Sequence, residues 1–218
     1  SWSNCSINQL SSEKAIQIWN STKTENNRSI ESEEPYIDKD FTPLKSYSDL
    51  TNTAESKESL RKTAIARRSG LSDKEVKESS NLICSVFTEL PEYKSSNNIA
   101  IYSPVRNEVD TNGLFKKIVS DNKNCFFPRI LNNKLYFHKI TDLRDLENGY
   151  AGIPEPSNTD EPVNTCDIDL LVVPGLCFDL KGSRIGYGKG FYDAALKDVS
   201  SSKIYAFCYS FQILSEIP

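Results

Sequence analysis

Apolar positions are unevenly spread along this chain of 218 residues: most fall after about residue 58, where helical and strand periods alternate. In KESLRKTAIARRSG (57–70), Leu60, Ala64 and Ile65 share one helical face, with Lys57, Arg61 and Arg68 placed on the surface and Gly70 as the closing cap. Ser72 followed by Glu75 is a capping box that opens a second helix over roughly 73–89, which Pro91 ends. NNIAIYSP (97–104) reads as a strand stopped by a proline, and Thr111 as the cap of a helix carrying Leu114, Phe115, Ile118 and Val119. NCFFPR (124–129) reads as a short strand running into a turn, and the alternating KLYFHKI (134–140) as a half-buried strand. After a loop rich in Asp, Asn, Pro and Gly (142–167), the unbroken apolar run IDLLVVP (168–174) predicts a strand covered on both faces of a parallel sheet. FDLKGSR (178–184) predicts a hairpin turning near Lys181 and Gly182, GFYDAALK (190–197) a helix, and KIYAFCY (203–209) a further strand. Alternating strands and helices give an α/β fold with a mainly parallel sheet flanked by helices.

Residues 1–56 differ. They are rich in Ser, Asn, Thr and Glu and hold no sustained period, so they read as a polar, flexible N-terminal extension, with a short helix predicted at SSEKAIQIW (11–19). ESEEPYIDKD (31–40) is acidic, the opposite of a transit peptide. The sequence contains no Met, so residue 1 is not read as a translation start. The net charge of -4 disfavours a nucleic-acid binder. The longest apolar run, 168–178, is interrupted by Pro174 and Gly175 and is too short to cross a bilayer. Six cysteines show neither a CxxC pair nor a zinc spacing, which predicts reduced thiols in a cytoplasmic-type compartment, an organelle matrix being the other setting. His138, the single histidine, has no partner motif and reads as structural.

Candidate chemistry concentrates in GSRIGYGKGFYD (182–193), between the buried strand and a helix. Gly186, Gly188 and Gly190 permit a close backbone approach to a ligand, and successive N–H groups at a helix start make an anion pocket. Arg184 and Lys189 add positive charge for a polyphosphate, Tyr187, Phe191 and Tyr192 offer flat faces to a heteroaromatic ring, and Asp193 is a candidate magnesium ligand. Strictly alternating glycines match neither a Walker loop nor a dinucleotide fingerprint.

The segment DLLVVPGLCFDLKGSRIGYGKGFYDAAL (169–196) resembles the signature of the 5-formyltetrahydrofolate cyclo-ligase (5,10-methenyltetrahydrofolate synthetase) family. Three further stretches match in the expected order: Lys57 and Arg61 resemble the family's nucleotide contacts, YSPVRNEVDT (102–111) its folate-contacting acidic loop, and FFPRI (126–130) its Pro-Arg turn. The resemblance covers residues 57–218 and implies a sugar-phosphate isomerase/CoA-transferase-like sheet. It also implies a monomer that acts on 5-formyltetrahydrofolate and ATP with magnesium, with neither nucleic acid nor membrane as partner. Under it Lys189 and Arg184 are catalytic. The nucleotide site comprises Lys57, Arg61, Arg184, Ile185, Gly186, Tyr187, Gly188, Lys189, Gly190, Phe191 and Tyr192, while Ser103, Glu108, Tyr187 and Phe191 face the folate. Asp193 holds the metal, and Arg129 is a further candidate for anionic groups. Family members continue past the position of Pro218 with another strand and a second acidic residue. Residues 57–218 are therefore expected to form a C-terminally incomplete domain with a sheet edge exposed. The competing readings are a non-catalytic folate- or nucleotide-binding paralogue and a kinase-like enzyme on another small acid.

Overall fold

Period-2 apolar runs build the centre of the molecule, and the computed structural model describes it over residues 6–10, 16–20, 56–157, 160–179, 182–197 and 203–218. The strands are β1 (Ser6–Leu10), β2 (Ile16–Asn20), β3 (Asn98–Ala100), β4 (Asn124–Leu131), β5 (Lys134–Ile140), β6 (Leu146–Asn148), β7 (Pro154–Pro156), β8 (Leu170–Val173), β9 (Cys177–Asp179), β10 (Arg184–Ile185), β11 (Lys203–Tyr209) and β12 (Ile213–Leu214). The helices are α1 (Lys57–Ser69), α2 (Asp73–Glu89), α3 (Pro91–Ser95), α4 (Asn112–Ser120) and α5 (Phe191–Ala195). A seven-stranded sheet runs in the order β1-β2-β11-β8-β3-β4-β5. Its central strands β11, β8, β3 and β4 are parallel, and the pairings at both margins are antiparallel.

Alternation within these strands divides the core. Ile99, Ile101, Leu170, Val172, Tyr205 and Phe207 face a layer made by α2, α3 and α4, with Ile83, Phe87, Leu114 and Ile118 between them. Phe87 is fully buried and meets Tyr205 and Phe207 edge-on at 5.4 and 5.1 Å. Losing so large an enclosed ring costs about 3–5 kcal/mol. Ala100, Leu171, Val173, Ile204 and Ala206 face the other way, onto Phe137, Phe178 and Leu196. A smaller core of Leu60, Ala64, Leu176, Cys177 and Ile185 seats α1 against the separate sheet β10-β9-β12.

Two of the three predicted caps form; Thr111 stands at the start of α4 but makes no side-chain cap bond, its hydroxyl donating instead to Tyr102 O at 2.7 Å. Ser72 and Glu75 exchange the two hydrogen bonds of a capping box at the start of α2, and Gly70 closes α1. Pro91 ends α2 and serves as the first residue of α3, where its missing N–H is harmless. The hairpin across 178–184 forms as β9 and β10, with Lys181 outside the described residues. It joins the small sheet rather than the central one.

Several expectations need correction. Residues 16–20 are a strand and not the end of a helix over 11–19, whose first part lies outside the described residues. The alternation of Ile16 and Ile18 suits an extended chain, and β2 pairs antiparallel with β11. Pro128 and Arg129 lie inside β4 instead of in a turn. Phe126 O accepts the bond from Ile101 N, the last that the β3 segment supplies. The nitrogen of Pro128, two residues on, therefore falls just past the last pair of that ladder. Arg68, placed on the surface by its position in α1, is only 1% exposed.

The described cysteines are free: Cys84, Cys125, Cys177 and Cys208 are buried and Cys166 is exposed. Burial pushes the Cys84 thiol up to about 12, which keeps it protonated. Among the described residues no helix is long and apolar enough to cross a membrane.

Candidate active site

The parallel strands β3, β4 and β8 all point toward one cavity of about 560 Å³. Their C-terminal ends are where open α/β sheets leave a crevice for ligands. It is lined by the residues after β3 (Tyr102, Ser103, Val105, Arg106, Glu108), by β4 and β5 (Pro128, Ile130, Leu135), and by Tyr150, Ala151, Ile153 and Glu155. Lys57 and Arg61 from α1 and the continuous stretch 184–193 complete it.

The lining is rich in cations: Lys57, Arg61, Arg106, Arg184 and Lys189 all belong to it. Arg61 Nε donates to Gly186 O at 3.0 Å, which ties α1 to the glycine-rich loop. At Gly188 the backbone is left-handed (φ +93°), and an added Cβ would lie 3.6 Å from the Arg61 guanidinium. Glycine there permits both the turn and the close approach of the arginine. Arg184 donates from Nη1 to Pro174 O at 2.8 Å and from Nη2 to Asp193 Oδ1 at 2.5 Å, and its guanidinium lies over the Tyr192 ring. Lys189 is exposed at the rim. Gly190 (φ +71°) starts α5, but that helix has only five residues. Its dipole is correspondingly weak, so the positive character of the lining rests on side-chain charge and loop N–H groups.

The same lining holds a buried carboxylate. Glu108, 6% exposed, accepts from Val105 N at 3.1 Å with Oε2 and from the Tyr187 hydroxyl at 3.0 Å with Oε1. Burial raises its pKa, opposed first by the positive charge of Arg68. Arg68 donates to Tyr187 OH and from Nε to Arg106 O at 2.8 Å, and its Nη1 stands 3.5 Å from Glu108 Oε1. The guanidinium carbons of Arg68 and Arg106 lie 5.8 and 5.6 Å from the Tyr187 ring centre. That ring therefore belongs to a cationic cluster rather than standing as an open platform. The Ser103 hydroxyl is committed to Pro154 O at 2.6 Å, where it ties the strand end to β7.

Aromatic rings pack beside these polar groups. Tyr150 meets Phe191 edge-on at 5.3 Å, and Phe137 meets Tyr192 at 6.5 Å. Glu155 closes the floor. It is 8% exposed, and its pKa is raised by burial, an effect that the nearby backbone of Ile130 and Tyr150 opposes. A Cβ on Gly149 would fall 2.6 Å from the Glu155 carboxyl group, so glycine leaves room for that carboxylate.

All the residues singled out in 184–193, with Lys57, Arg61, Ser103 and Glu108, thus surround one cavity. Arg129 is not among its lining residues; its Nη1 reaches Ser157 O at 3.4 Å. His138 is buried in β5, also outside the lining. Sequence reasoning missed Arg68, Tyr150 and Glu155. Only Arg68 carried a signal: with Leu60 and Ala64 it continues the buried stripe at four-residue spacing.

Among the described residues no group of three or more His, Cys, Asp or Glu side chains could hold a metal ion. The single carboxylate of Asp193 suits magnesium, which typically keeps waters and binds through one or two carboxylates plus substrate phosphates.

A model of the 5-formyltetrahydrofolate cyclo-ligase family matches residues 53–218. The 5-formyltetrahydrofolate cyclo-ligase of Mus musculus is 34% identical over 114 residues, which are 49% of this chain and 56% of that protein. The Haemophilus influenzae protein of the same name is 31% identical over 113 residues, 50% of this chain and 60% of its own. Each match therefore spans less than two thirds of the relative. Among solved structures, the Aquifex aeolicus 5,10-methenyltetrahydrofolate synthetase superposes with a TM-score of 0.67 at 36% identity, covering 74% of this chain and 82% of that one.

Proposed function

Because the chain belongs to the 5-formyltetrahydrofolate cyclo-ligase family, we propose that it carries the site for ATP-dependent conversion of 5-formyltetrahydrofolate to 5,10-methenyltetrahydrofolate, with release of ADP and phosphate. The observation that carries this reading is the composition of one cavity: basic side chains and a glycine-rich loop share its lining with a buried carboxylate and aromatic side chains. A triphosphate suits the cations and the loop. A reduced pterin, with its N–H donors, suits the carboxylate.

The formyl oxygen attacks the γ-phosphorus and ADP leaves. The folate nitrogen at position 10 then attacks the activated formyl carbon, gives up its proton and expels phosphate to close the ring. Such a transfer needs positioning and charge neutralisation rather than a protein nucleophile. Lys189 and Arg184 neutralise the transferring phosphoryl group, while Lys57 and Arg61 hold the remaining phosphates. Glu108 accepts from the pterin, and Phe191 with Tyr150 covers it. Ser103 serves by fixing the wall. Asp193 would hold magnesium, which when bound supplies charge at the phosphate oxygens. The four parallel strands with a layer on each face support a sugar-phosphate isomerase/CoA-transferase-like assignment, and the protein acts as a monomer in a cytoplasmic-type compartment.

The test is the methenyltetrahydrofolate absorbance band, followed with ATP, magnesium and 5-formyltetrahydrofolate. An ATP-dependent rise is expected. Folate binding without turnover would replace the enzyme by a binding protein, and no binding at all would remove the functional reading.

A further inference from the structure

We propose that Arg68 is a positioning residue: from the last turn of α1 it sets the Glu108 carboxylate and the Tyr187 phenol against folate in the cavity. This rests on the functional reading above. Arg68 is 1% exposed and is one of the largest fully buried side chains. Its guanidinium reaches three groups from two other segments: Arg106 O at 2.8 Å and Glu108 Oε1 at 3.5 Å after β3, and Tyr187 OH in the glycine-rich loop. Its own carbonyl accepts from Asn107 Nδ2 at 3.2 Å. One residue thereby joins α1 to the acidic turn and to the Tyr187 phenol.

Stability alone does not account for this arginine. Leu60 and Ala64, on the same stripe of α1, are apolar and buried, and a buried ion pair gives no net advantage over well-packed apolar side chains. What the guanidinium provides is directional. Arg106 and Asn107 are consecutive non-glycine residues in the left-handed region, at φ +51° and +56°. That conformation is unfavourable and needs outside support. Arg68 supplies it through the Arg106 carbonyl, and Asn107 through the carbonyls of Arg68 and Leu71. Glu108 follows immediately, so the turn decides where its carboxylate points.

Charge reinforces geometry. Glu108 is faced by Arg68 from α1, Arg106 from its own turn, Tyr187 from the glycine-rich loop, Tyr192 from α5, Tyr102 after β3 and Tyr209 from β11; Asp110 lies beyond, near Tyr209. Arg106 is exposed, which leaves Arg68 as the buried cation of this group. Without it, desolvation favours the neutral carboxyl, which no longer accepts at both oxygens.

The experiment measures equilibrium binding of 5-formyltetrahydrofolate and, separately, of ATP to wild type, Arg68→Met, Arg68→Lys and Glu108→Gln, from about pH 5 to about pH 9. For Arg68→Met the folate Kd should rise about tenfold or more, with the acid limb of binding moved to higher pH and the ATP Kd unchanged within about twofold. Arg68→Lys should recover part of the loss and of the pH profile, since it keeps the charge without the fork. A folded Arg68→Met protein with wild-type folate affinity and pH profile overturns the proposal. If Arg68→Met does not fold, Arg68→Lys decides, because unchanged folate affinity there also overturns it. The Glu108→Gln arm separates the two levels. Undiminished folate binding by Glu108→Gln, or none by wild type, removes the functional reading and this inference with it. Weakened Glu108→Gln beside unaffected Arg68→Met removes only the role of Arg68.

Discussion

Gly175, in the turn between β8 and β9, offers a test in which packing and site geometry are joined. A Cβ added there would lie 2.4 Å from Phe178 Cζ, 2.9 Å from Phe178 Cε1 and 3.2 Å from Arg184 Cγ. Carbon atoms in contact prefer about 3.5–4.0 Å, so Gly175→Ala forces an overlap of more than about 1 Å against the ring. Phe178 is 0% exposed and pairs within the small sheet, so neither ring nor strand has room to retreat. The backbone at Gly175 is not left-handed, which leaves space as the only issue. Overpacking of this kind costs about 1–3 kcal/mol and the enclosed ring puts it at the upper end, near about 3 kcal/mol. For a domain of this size that lowers Tm by about 6–12 °C. The matched control is Gly113→Ala in α4, where a Cβ meets nothing within 4 Å. Alanine should stabilise that helix by about 0.5 kcal/mol. Urea unfolding followed by far-UV circular dichroism reads both variants. Because Arg184 Cγ borders the new methyl, Gly175→Ala should also lower kcat. A Gly175→Ala unfolding free energy within about 0.5 kcal/mol of wild type, at unchanged slope, would refute the packing argument.

Three further outcomes follow from the same structure. Lys189→Ala should raise the KM for ATP about tenfold while leaving the folate KM within about twofold, as steady-state kinetics would show, because it removes one charge-assisted phosphate contact at the rim. Ser72→Ala removes the hydroxyl that accepts from Glu75 N, leaves the backbone N–H that donates to Glu75, and should cost about 1 kcal/mol in thermal or urea unfolding; no loss would mean that this side-chain cap does not help anchor α2. Burial raises the Glu155 pKa, so the folded state keeps its proton longer than the unfolded chain. Its contribution to stability is present below the ordinary glutamate value and is lost as pH rises through the raised value. Glu155→Gln should therefore gain stability relative to wild type across that window, and parallel stability–pH curves would contradict it.

Much of this molecule was legible in the order of its residues. The unbroken apolar run at 168–174 became the doubly covered β8, the Ser72–Glu75 pair opened α2, and 184–193 came out as one wall of a cavity. These are local signals, carried by side-chain period, capping chemistry and the freedom of glycine. The same local reading failed where pairing or burial decided the outcome. Pro128 signals a turn by itself, yet sits in β4 because the neighbouring strand segment has ended on that flank. Ile16 and Ile18 became a strand because β11 offered an unpaired flank. Arg68 reads as solvated, since a charged side chain has no favourable place in an interior until its partners are known. Those partners, Arg106 and Glu108 in one segment and Tyr187 in another, stand 38 to 119 residues away. Periodicity decides which residues turn inward; whether an inward charge is tolerated depends on which distant donors and acceptors the fold brings to meet it, and only the tertiary structure decides that.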